Sequence, residues 1–382
     1  GYDSSTLRGK AVREIIEPRD GILWIATEDG GLNVYNTEKQ EITLFNKIPG
    51  LGHNVHCLHY DSVGGEVWIG TFRNGLFRYG MNGSWERYMP GNSGLNSDAI
   101  FGITQQHDGR LWVATTQGLR YYDKKKNTLE KIGHPVLDVD FCYCLLVDCD
   151  NNLWVGTRNN GLFCVNAKSG EVCGWSARTP GSLLNDDYIT CLYQDSDEKI
   201  WIGTNNDGVR YIEPDSMKLK SPGEGMTLRN NTICSIIEDN IGYLWISTGQ
   251  GLFQIYQDRS AFIHYAMEDG VPVNQFNFSS SILASNGLLY FGSVDGLVFF
   301  DPKTIKRSSG PFEVHLRNMM INNQVITAST PESPLSQSLD DTEEVSLTFD
   351  QSRSFSIDYS TVSLGNTSTI FYQVKLDGLD ED

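Results

Sequence analysis

Seven short apolar runs, each closed by a hydroxyl residue, punctuate the first 300 positions. They read Leu23-Trp24-Ile25-Ala26-Thr27, Val67-Trp68-Ile69-Gly70-Thr71, Leu111-Trp112-Val113-Ala114-Thr115, Leu153-Trp154-Val155-Gly156-Thr157, Ile200-Trp201-Ile202-Gly203-Thr204, Leu244-Trp245-Ile246-Ser247-Thr248 and Leu289-Tyr290-Phe291-Gly292-Ser293. The aromatic positions are spaced by 44, 44, 42, 47, 44 and 45 residues. Each run is followed by a Gly (31, 75, 118, 161, 208, 251, 296), then a branched aliphatic residue, then another apolar residue three positions on. This grammar predicts two strands joined by a tight turn. Another strand is expected before each motif: Val12–Ile16, Val55–His59, Ala99–Thr104, Cys142–Val147, Tyr188–Tyr193, Ile233–Ile237 and Ser279–Leu283. A fourth follows at Ile42–Phe45, Trp85–Tyr88, Leu129–Ile132, Val172–Trp175 and Phe262–Tyr265, with a weak copy at Lys218–Lys220.

The motif strand is apolar on both faces, as a strand covered on both sides must be. A four-stranded unit sandwiched between copies of itself, at this period, is the blade of a β-propeller. Seven copies predict seven blades over residues 1–310. The fourth motif position is always small (Ala26, Gly70, Ala114, Gly156, Gly203, Ser247, Gly292), which is expected to form a notch for the Trp of the neighbouring blade. Phe45, Tyr88, Trp175 and Tyr265 recur at one repeat position and are expected to pack between outer strands. Trp85 and Phe101 fall outside that series and do not by themselves make a binding platform.

Tyr2 lies where the tail of an outer strand belongs, and blade seven shows no clear outer strand of its own. Either that strand comes from upstream of residue 1, or the ring closes imperfectly. From about Pro311 the pattern changes. Strands are expected at Phe312–Leu316, Val345–Phe349, Ser354–Tyr359 and Ile370–Leu376, with a Ser/Pro/acid-rich connection over Thr327–Glu344. Residues 311–382 therefore read as part of a truncated immunoglobulin-like β-sandwich, too short for the roughly 100 residues of a complete one.

The chain has 382 residues and a formal net charge of −18, from 48 acidic and 30 basic residues. That balance disfavours nucleic acid and anionic membrane surfaces, although a local arginine cluster could still hold an anion. No apolar run reaches the eighteen residues of a membrane helix. Of the eight cysteines, Cys57, Cys142, Cys144, Cys164, Cys191 and Cys234 fall in or beside strands and read as free core residues.

Candidate chemistry is sparse. His53, His56 and His59 surround Cys57, but strand alternation points His56 away from the other two, so no metal is expected. Cys142-Tyr143-Cys144 reads as strand packing. Asp148-Cys149-Asp150-Asn151 resembles part of a calcium loop, yet it aligns with the hairpin turns Asp20-Gly21 and Asp108-Gly109 and lacks the distal bidentate Glu. No catalytic constellation is assembled and no cofactor is implied. The turns after the motif hydroxyl are the best ligand candidates: Glu28, Asp29, Arg73, Asn74, Gln117, Arg158, Asn159, Asn205, Asn206 and Gln250. Gathered on one propeller face, such donors and acceptors suit a polyhydroxylated or charged small ligand. Turn geometry alone also explains Asn, Asp and Gly there.

The repeated Leu-Trp-Ile-Gly-Thr-x-x-x-Gly-Leu-x-x-Tyr resembles the regulator-propeller repeats of bacterial sensors. Phe355-Ser356-Ile357-Asp358-Tyr359 and Tyr372-Gln373-Val374-Lys375-Leu376-Asp377-Gly378-Leu379-Asp380 resemble the Y_Y_Y module, which is immunoglobulin-like. This order resembles the periplasmic half of hybrid two-component sensor histidine kinases. The resemblance implies a dimeric sensor half, an oligosaccharide ligand, and a parent chain with a first propeller, a membrane helix, a kinase, a receiver and a DNA-binding domain. It implies no enzyme activity for this region and control of glycan-use genes by the whole. It assigns no ligand residue individually. Two other readings stand beside it: a structural or dimerisation module without a small ligand, and a seven-bladed lyase. The lyase would need a His-centred metal cluster on the turn face, whereas the histidines stand at 53, 56, 59, 107, 134, 264 and 315.

Overall fold

The computed structural model describes residues 6–223, 228–272, 275–305 and 314–361. The chain divides into two units, Gly1–Ile305 and Lys306–Asp382. The first unit is a seven-bladed propeller. Six antiparallel sheets have four strands in chain order, and the seventh has three among the described residues, ending in Gly296–Phe300.

The motif strands are buried along their whole length, for instance Leu111–Thr115, Leu153–Thr157, Ile200–Thr204 and Leu244–Thr248. Double-sided burial is why no alternation is visible in them. The ring closes between blades seven and one. There Val12, Ile15, Leu23 and Ile25 share a core with Ala284 and Tyr290. Asn277 Nδ2 donates to the Val12 carbonyl at 2.7 Å, and Ser285 donates to both Glu17 oxygens at 2.6 and 2.7 Å.

The hydroxyl that closes every motif is explained by its turn. Its Oγ donates to the carbonyl of the following Gly in all seven blades, from Thr27–Gly31 at 2.9 Å to Ser293–Gly296 at 2.9 Å. The same oxygen accepts a turn N–H, as from Asn160 at 3.0 Å and Asp207 at 2.9 Å. One side chain thus gives the Gly carbonyl a second donor beside the closing residue's own N–H, and gives a turn N–H its acceptor. At the other end of the motif strand, the indole N–H of Trp154, Trp201 and Trp245 donates to Asp148, Asp195 and Asp239 at 2.7, 2.7 and 2.9 Å. Asp148 also accepts from Asn152, so the Asp148–Asn151 segment is hairpin chemistry.

The notch is filled differently from the expectation. A Cβ at Gly156 would lie 2.4 Å from Cys144 Sγ and 2.8 Å from Ile189 Cγ2. Gly70 meets Cys57 and Ile100 in the same way, and Gly203 meets Cys191 and Ile233. The occupants are therefore the cysteine opposite in the same blade and the aliphatic residue that opens the next blade's inner strand. The motif Trp instead meets a third-strand ring of the following blade: Trp24–Tyr79 at 6.0 Å, Trp68–Tyr122 at 4.9 Å and Trp245–Phe300 at 4.9 Å. It is too large for a notch that a cysteine and an isoleucine already fill. The recurring outer aromatics also pack inward on their own blade's Trp, as Trp24–Phe45, Trp68–Tyr88, Trp154–Trp175 and Trp245–Tyr265 at 4.8 to 5.8 Å. All eight cysteines are free thiols, with Cys149 and Cys173 exposed.

In the second unit one sheet holds Val314–Ile321 between Gln324–Ile326 and Phe355–Thr361. Met319, Ile321, Leu335 and Leu339 form its buried core. Residues 345–349 form no strand; Val345 and Leu347 pack against that core from a non-ladder segment. The strand expected at Ile370–Leu376 and the motif at 372–380 lie outside the described residues, as does Tyr2.

Candidate ligand site at the channel mouth

Each inner strand breaks its pairing with the motif strand at the end where the motif hydroxyl sits. In blade one Val12 pairs with Thr27 and Glu14 with Ala26, leaving Arg13 as a bulge. The same step leaves His56, Phe101, Tyr143, Thr190 and Cys234 bulged in blades two to six. Blade seven goes further. Phe276 pairs with Ser293 and Ser281 with Phe291, so the four residues Asn277–Ser280 stand opposite the single Gly292. A bulge redirects side chains away from the sheet.

These residues surround the central channel. A cavity of about 200 Å³ is lined by Arg13, Glu14, His56, Phe101, Tyr143 and Phe278, among others. In blades five and six the bulged residues are small, Thr190 and Cys234, and fully buried. The blade-seven insertion occupies the space they leave. Ser279, at φ 55°, donates to the Thr190 carbonyl at 3.3 Å, and Phe278 meets Tyr143 and Tyr188 at 5.6 and 6.3 Å. The hub is thus lopsided, with polar and aromatic bulk on one side and an inserted loop on the other.

Blades two to five carry an arc of partly exposed rings at this end. His56 stacks on Phe72 at 5.3 Å and meets Phe101 edge-on at 4.9 Å. Phe101 meets Phe141 at 4.6 Å and Tyr143 at 5.3 Å, and Tyr143 meets Tyr188 at 5.2 Å. Arginines lie over the arc: Arg73 over Phe72 at 5.6 Å, and Arg158 over Phe141 and Tyr188 at 5.5 Å each. Arg73 holds φ at 105°, a region that side-chain-bearing residues rarely occupy.

Two titratable groups sit in the channel wall. Burial pushes the Glu14 carboxyl up to about 8, although the Leu58 N–H donates to it at 2.7 Å. Burial, with Arg13 nearby, pulls His56 down to about 3. The Nδ1 of His56 is buried without a hydrogen-bond partner.

The ten turn residues divide into two kinds. Arg73 and Arg158 reach the aromatic arc. Glu28 approaches Arg13 at 3.8 Å. The others mainly hold loops. Asp29 accepts the Lys10 N–H, Asn74 donates to the Leu51 carbonyl, and Asn159 donates to Asp140. The Gln117 carbonyl accepts from Asn96, and the Gln250 carbonyl accepts from His264 Nε2 at 2.9 Å. Asn205 accepts from Thr232 through its carbonyl, and the Asn206 N–H donates to Asp186. Reading the turns missed the bulged inner-strand residues, which line the axis itself. The signal was available: in the first six copies they stand eleven or twelve residues before the motif ring. Phe101, set aside from the outer aromatic series, is the centre of the arc.

The family model described as two component regulator propeller matches residues 94–117, 183–206 and 227–250. These windows hold the bulged residue, the motif Trp and the closing Thr of blades three, five and six. Those three stretches are similar to two component regulator propeller repeats. The chain is 25% identical to histidine kinase P4 of Formosa agariphila over 99% of its own length and 28% of that protein. It superposes with a TM-score of 0.69 and 22% identity on the extracellular domain of a hybrid two-component system of B. thetaiotaomicron, covering 94% of this chain and 48% of that one. It also shares its fold with virginiamycin B lyase of Staphylococcus aureus (17% identity, TM-score 0.58, 77% and 95% covered). The chain therefore spans less than half of these two-component relatives. Among the described residues no helix is long and apolar enough to cross a membrane.

Proposed function

We propose that this chain is the extracytoplasmic ligand-sensing region of a hybrid two-component sensor histidine kinase and response regulator. In this reading it lies in the periplasm, is dimeric, and binds an oligosaccharide at the channel mouth. The parent protein, with a first propeller and membrane and kinase segments, passes the signal inward to control transcription of glycan-use genes. This region contacts no nucleic acid and catalyses nothing.

The observation that carries the proposal is the lopsided hub. At one end of the channel the bulges set His56, Phe101 and Tyr143 in its wall, half-buried Phe72, Phe141 and Tyr188 extend that arc, and exposed Arg73 and Arg158 lie over it, and the fold asks for none of those particular side chains. Partly exposed rings beside a few polar groups are what a sugar-binding surface needs. Signalling then requires that the ligand prefer one of two domain arrangements.

The lyase reading rests on shared fold, which does not carry function. His56 is the histidine in the channel wall, and its neighbours keep it neutral across ordinary pH. That state does not suit a general acid, which must carry a proton at working pH. Calorimetry of the 382-residue chain against oligosaccharides from each major glycan class tests the proposal. Saturable heat with one class is the expected result. Silence across all classes, with the chain folded, overturns the oligosaccharide ligand and favours a structural or dimerisation module.

A further inference from the structure

Several arginines near the propeller's turn face are paired with carboxylates. Arg120 sits by Asp138, Arg178 by Asp187 and Arg210 by Asp207. Arg13 has Glu28. Arg73 and Arg158 differ. Both are exposed, and no carboxylate among the described residues lies within ion-pairing distance of either. Each instead rests on half-buried rings at 5.5 to 5.6 Å. Arg87, over Phe77 at 5.3 Å, also lacks a carboxylate, but its guanidinium donates to the Asn74 carbonyl at 2.9 Å.

The nearby acids are spent elsewhere. Asp140 accepts from the Phe141 N–H and from Asn159 and Asn160. Asp186 accepts from the backbone of Tyr188 and Asn206. They fix the turns that carry the rings and leave the guanidinium groups unneutralised.

Two further observations point to a ligand. Arg73 keeps a left-handed backbone at φ 105°, a costly conformation of the kind that persists at functional sites. His56, 8% exposed, lines the cavity with Nδ1 unpartnered, and an unsatisfied buried nitrogen calls for a donor or acceptor from outside the protein. The rings linking these groups run Phe72, Phe101, Phe141, Tyr188, each within about 6 Å of the next or of Tyr143 between them. Arg73 stands over one end and Arg158 over the other. The two guanidinium groups are therefore not set to grip one small anion together. They suit a chain of sugar rings lying along the arc, with acid groups on more than one ring.

We infer that the ligand is an anionic oligosaccharide, whose sugar rings lie on the Phe72–Phe101–Phe141–Tyr188 arc and whose carboxylate or sulfate groups are held by Arg73 and Arg158. This rests on the oligosaccharide reading above and narrows it. Guanidinium groups bind carboxylate and sulfate through paired N–H donors, which lysine cannot reproduce. The local field of the two arginines must act against the net charge of −18, so affinity falls as salt screens it.

The test is calorimetry of the 382-residue chain with three matched sets: oligogalacturonides, sulfated galactan oligosaccharides, and neutral galacto-oligosaccharides of equal length. Binding of the first or the second set, with little for the neutral one, is expected, and the two acidic arms separate carboxylate from sulfate. Arg73→Gln and Arg158→Gln are each expected to weaken that binding roughly tenfold or more, with unchanged thermal melting. Arg158→Lys restores only part. Neutral sugars binding as well as acidic ones would overturn the anionic ligand and leave the oligosaccharide reading standing. No heat from any of the three sets, with the fold intact, would overturn the anionic ligand, while the oligosaccharide reading falls only with silence across the full glycan panel. Acidic binding indifferent to both Gln variants would overturn the placement of the site.

Discussion

The residue that closes each motif strand and the residue that bulges from each inner strand lie at the same end of the same blade. They behave in opposite ways. The first is Thr six times and Ser once. The second is Arg13, His56, Phe101, Tyr143, Thr190, Cys234 and the Asn277–Ser280 insertion, with no residue type used twice in the first six. The closing hydroxyl has two backbone partners in the turn it seals, and any blade needs them. In blades one to four the bulged residue lines the channel cavity, where its own sheet makes no demand on it. Repetition within one chain thus separates what a blade requires from what the hub presents.

The notch gives the largest way to break the repeated side of this comparison. Gly156→Ala puts a methyl group 2.4 Å from Cys144 Sγ and 2.8 Å from Ile189 Cγ2. Overpacking of this kind is expected to cost about 2–3 kcal/mol. The third blade solves the same problem in reverse, with Ala114 paired to Gly102 and a slimmer Cys142 sharing its core. Cys144→Ala should therefore be less harmful in the Gly156→Ala background than alone. Denaturant unfolding of the four proteins in the cycle checks this. Additive losses would mean the sulfur is not what fills the notch.

Next in size on the repeated side is the hydroxyl. Thr157→Val keeps shape but removes the donor to the Gly161 carbonyl at 2.8 Å and the acceptor for Asn160 N at 3.0 Å. The Asn160 N–H is then left without its acceptor, while the Gly161 carbonyl keeps the residue-157 N–H at 3.0 Å, and a loss of about 1–2 kcal/mol is expected. Thr157→Ser should retain most of it, since blade seven uses Ser293 in that role. If Val and Ser variants unfold at the same denaturant concentration, the hydrogen bonds do not account for the pattern.

The channel wall makes stability depend on pH in two directions. Glu14 has its folded pKa raised to about 8. Its favourable state, the protonated one, is present below the unfolded value near 4.5 and is lost as pH rises through 8. His56 is lowered to about 3, so its contribution is complete above its ordinary 6.5 and is lost as pH falls toward 3. Glu14→Gln keeps an acceptor for the Leu58 N–H and removes only the first effect. It should gain about 3–4 kcal/mol over the parent at pH 8 and less than about 1 kcal/mol at pH 5. An equal change at both values would show that the carboxyl is not the titrating group.

How legible this molecule was in its sequence follows the same division. The blade count, the strand order and the closing hydroxyl were readable because seven copies repeat them. The cysteines read correctly as core residues, but not as the partners of particular glycines. That pairing depends on register: Cys57, Cys144 and Cys191 lie opposite Gly70, Gly156 and Gly203, and a one-residue bulge decides it. The same bulge hid the hub. Strand alternation applied through His56 and Tyr143 assigns them a sheet face, whereas the break in pairing turns them to the axis. Arg73 and Arg158 were found through turn composition, while the rings beneath them were not. Phe141 and Tyr188 share one repeat position, thirteen residues before their motif Trp, but Phe72 and Phe101 stand at two others, so the repeat pattern does not group the four.

The smallest expected effect tests the freedom of the hub directly. Cys234 and Thr190 hold equivalent bulges in adjacent blades and are both buried. Thr190 donates its hydroxyl to the Ile233 carbonyl, the first residue of the next inner strand, at 2.6 Å. The equivalent acceptor for residue 234 is the carbonyl of Phe276, which opens blade seven's inner strand. Cys234→Thr changes volume little and supplies a hydroxyl with a partner one blade away. Stability should shift by less than about 0.5 kcal/mol, the range of substitutions that break no named interaction. Placing Thr at the closing position was worth a fixed pair of hydrogen bonds in every blade. Placing it at the hub should be worth almost nothing, because the fold leaves that position open for whatever the channel must recognise. A loss above 2 kcal/mol on denaturant unfolding would show that the hub position is as constrained as the turn and that its variety has a structural cause.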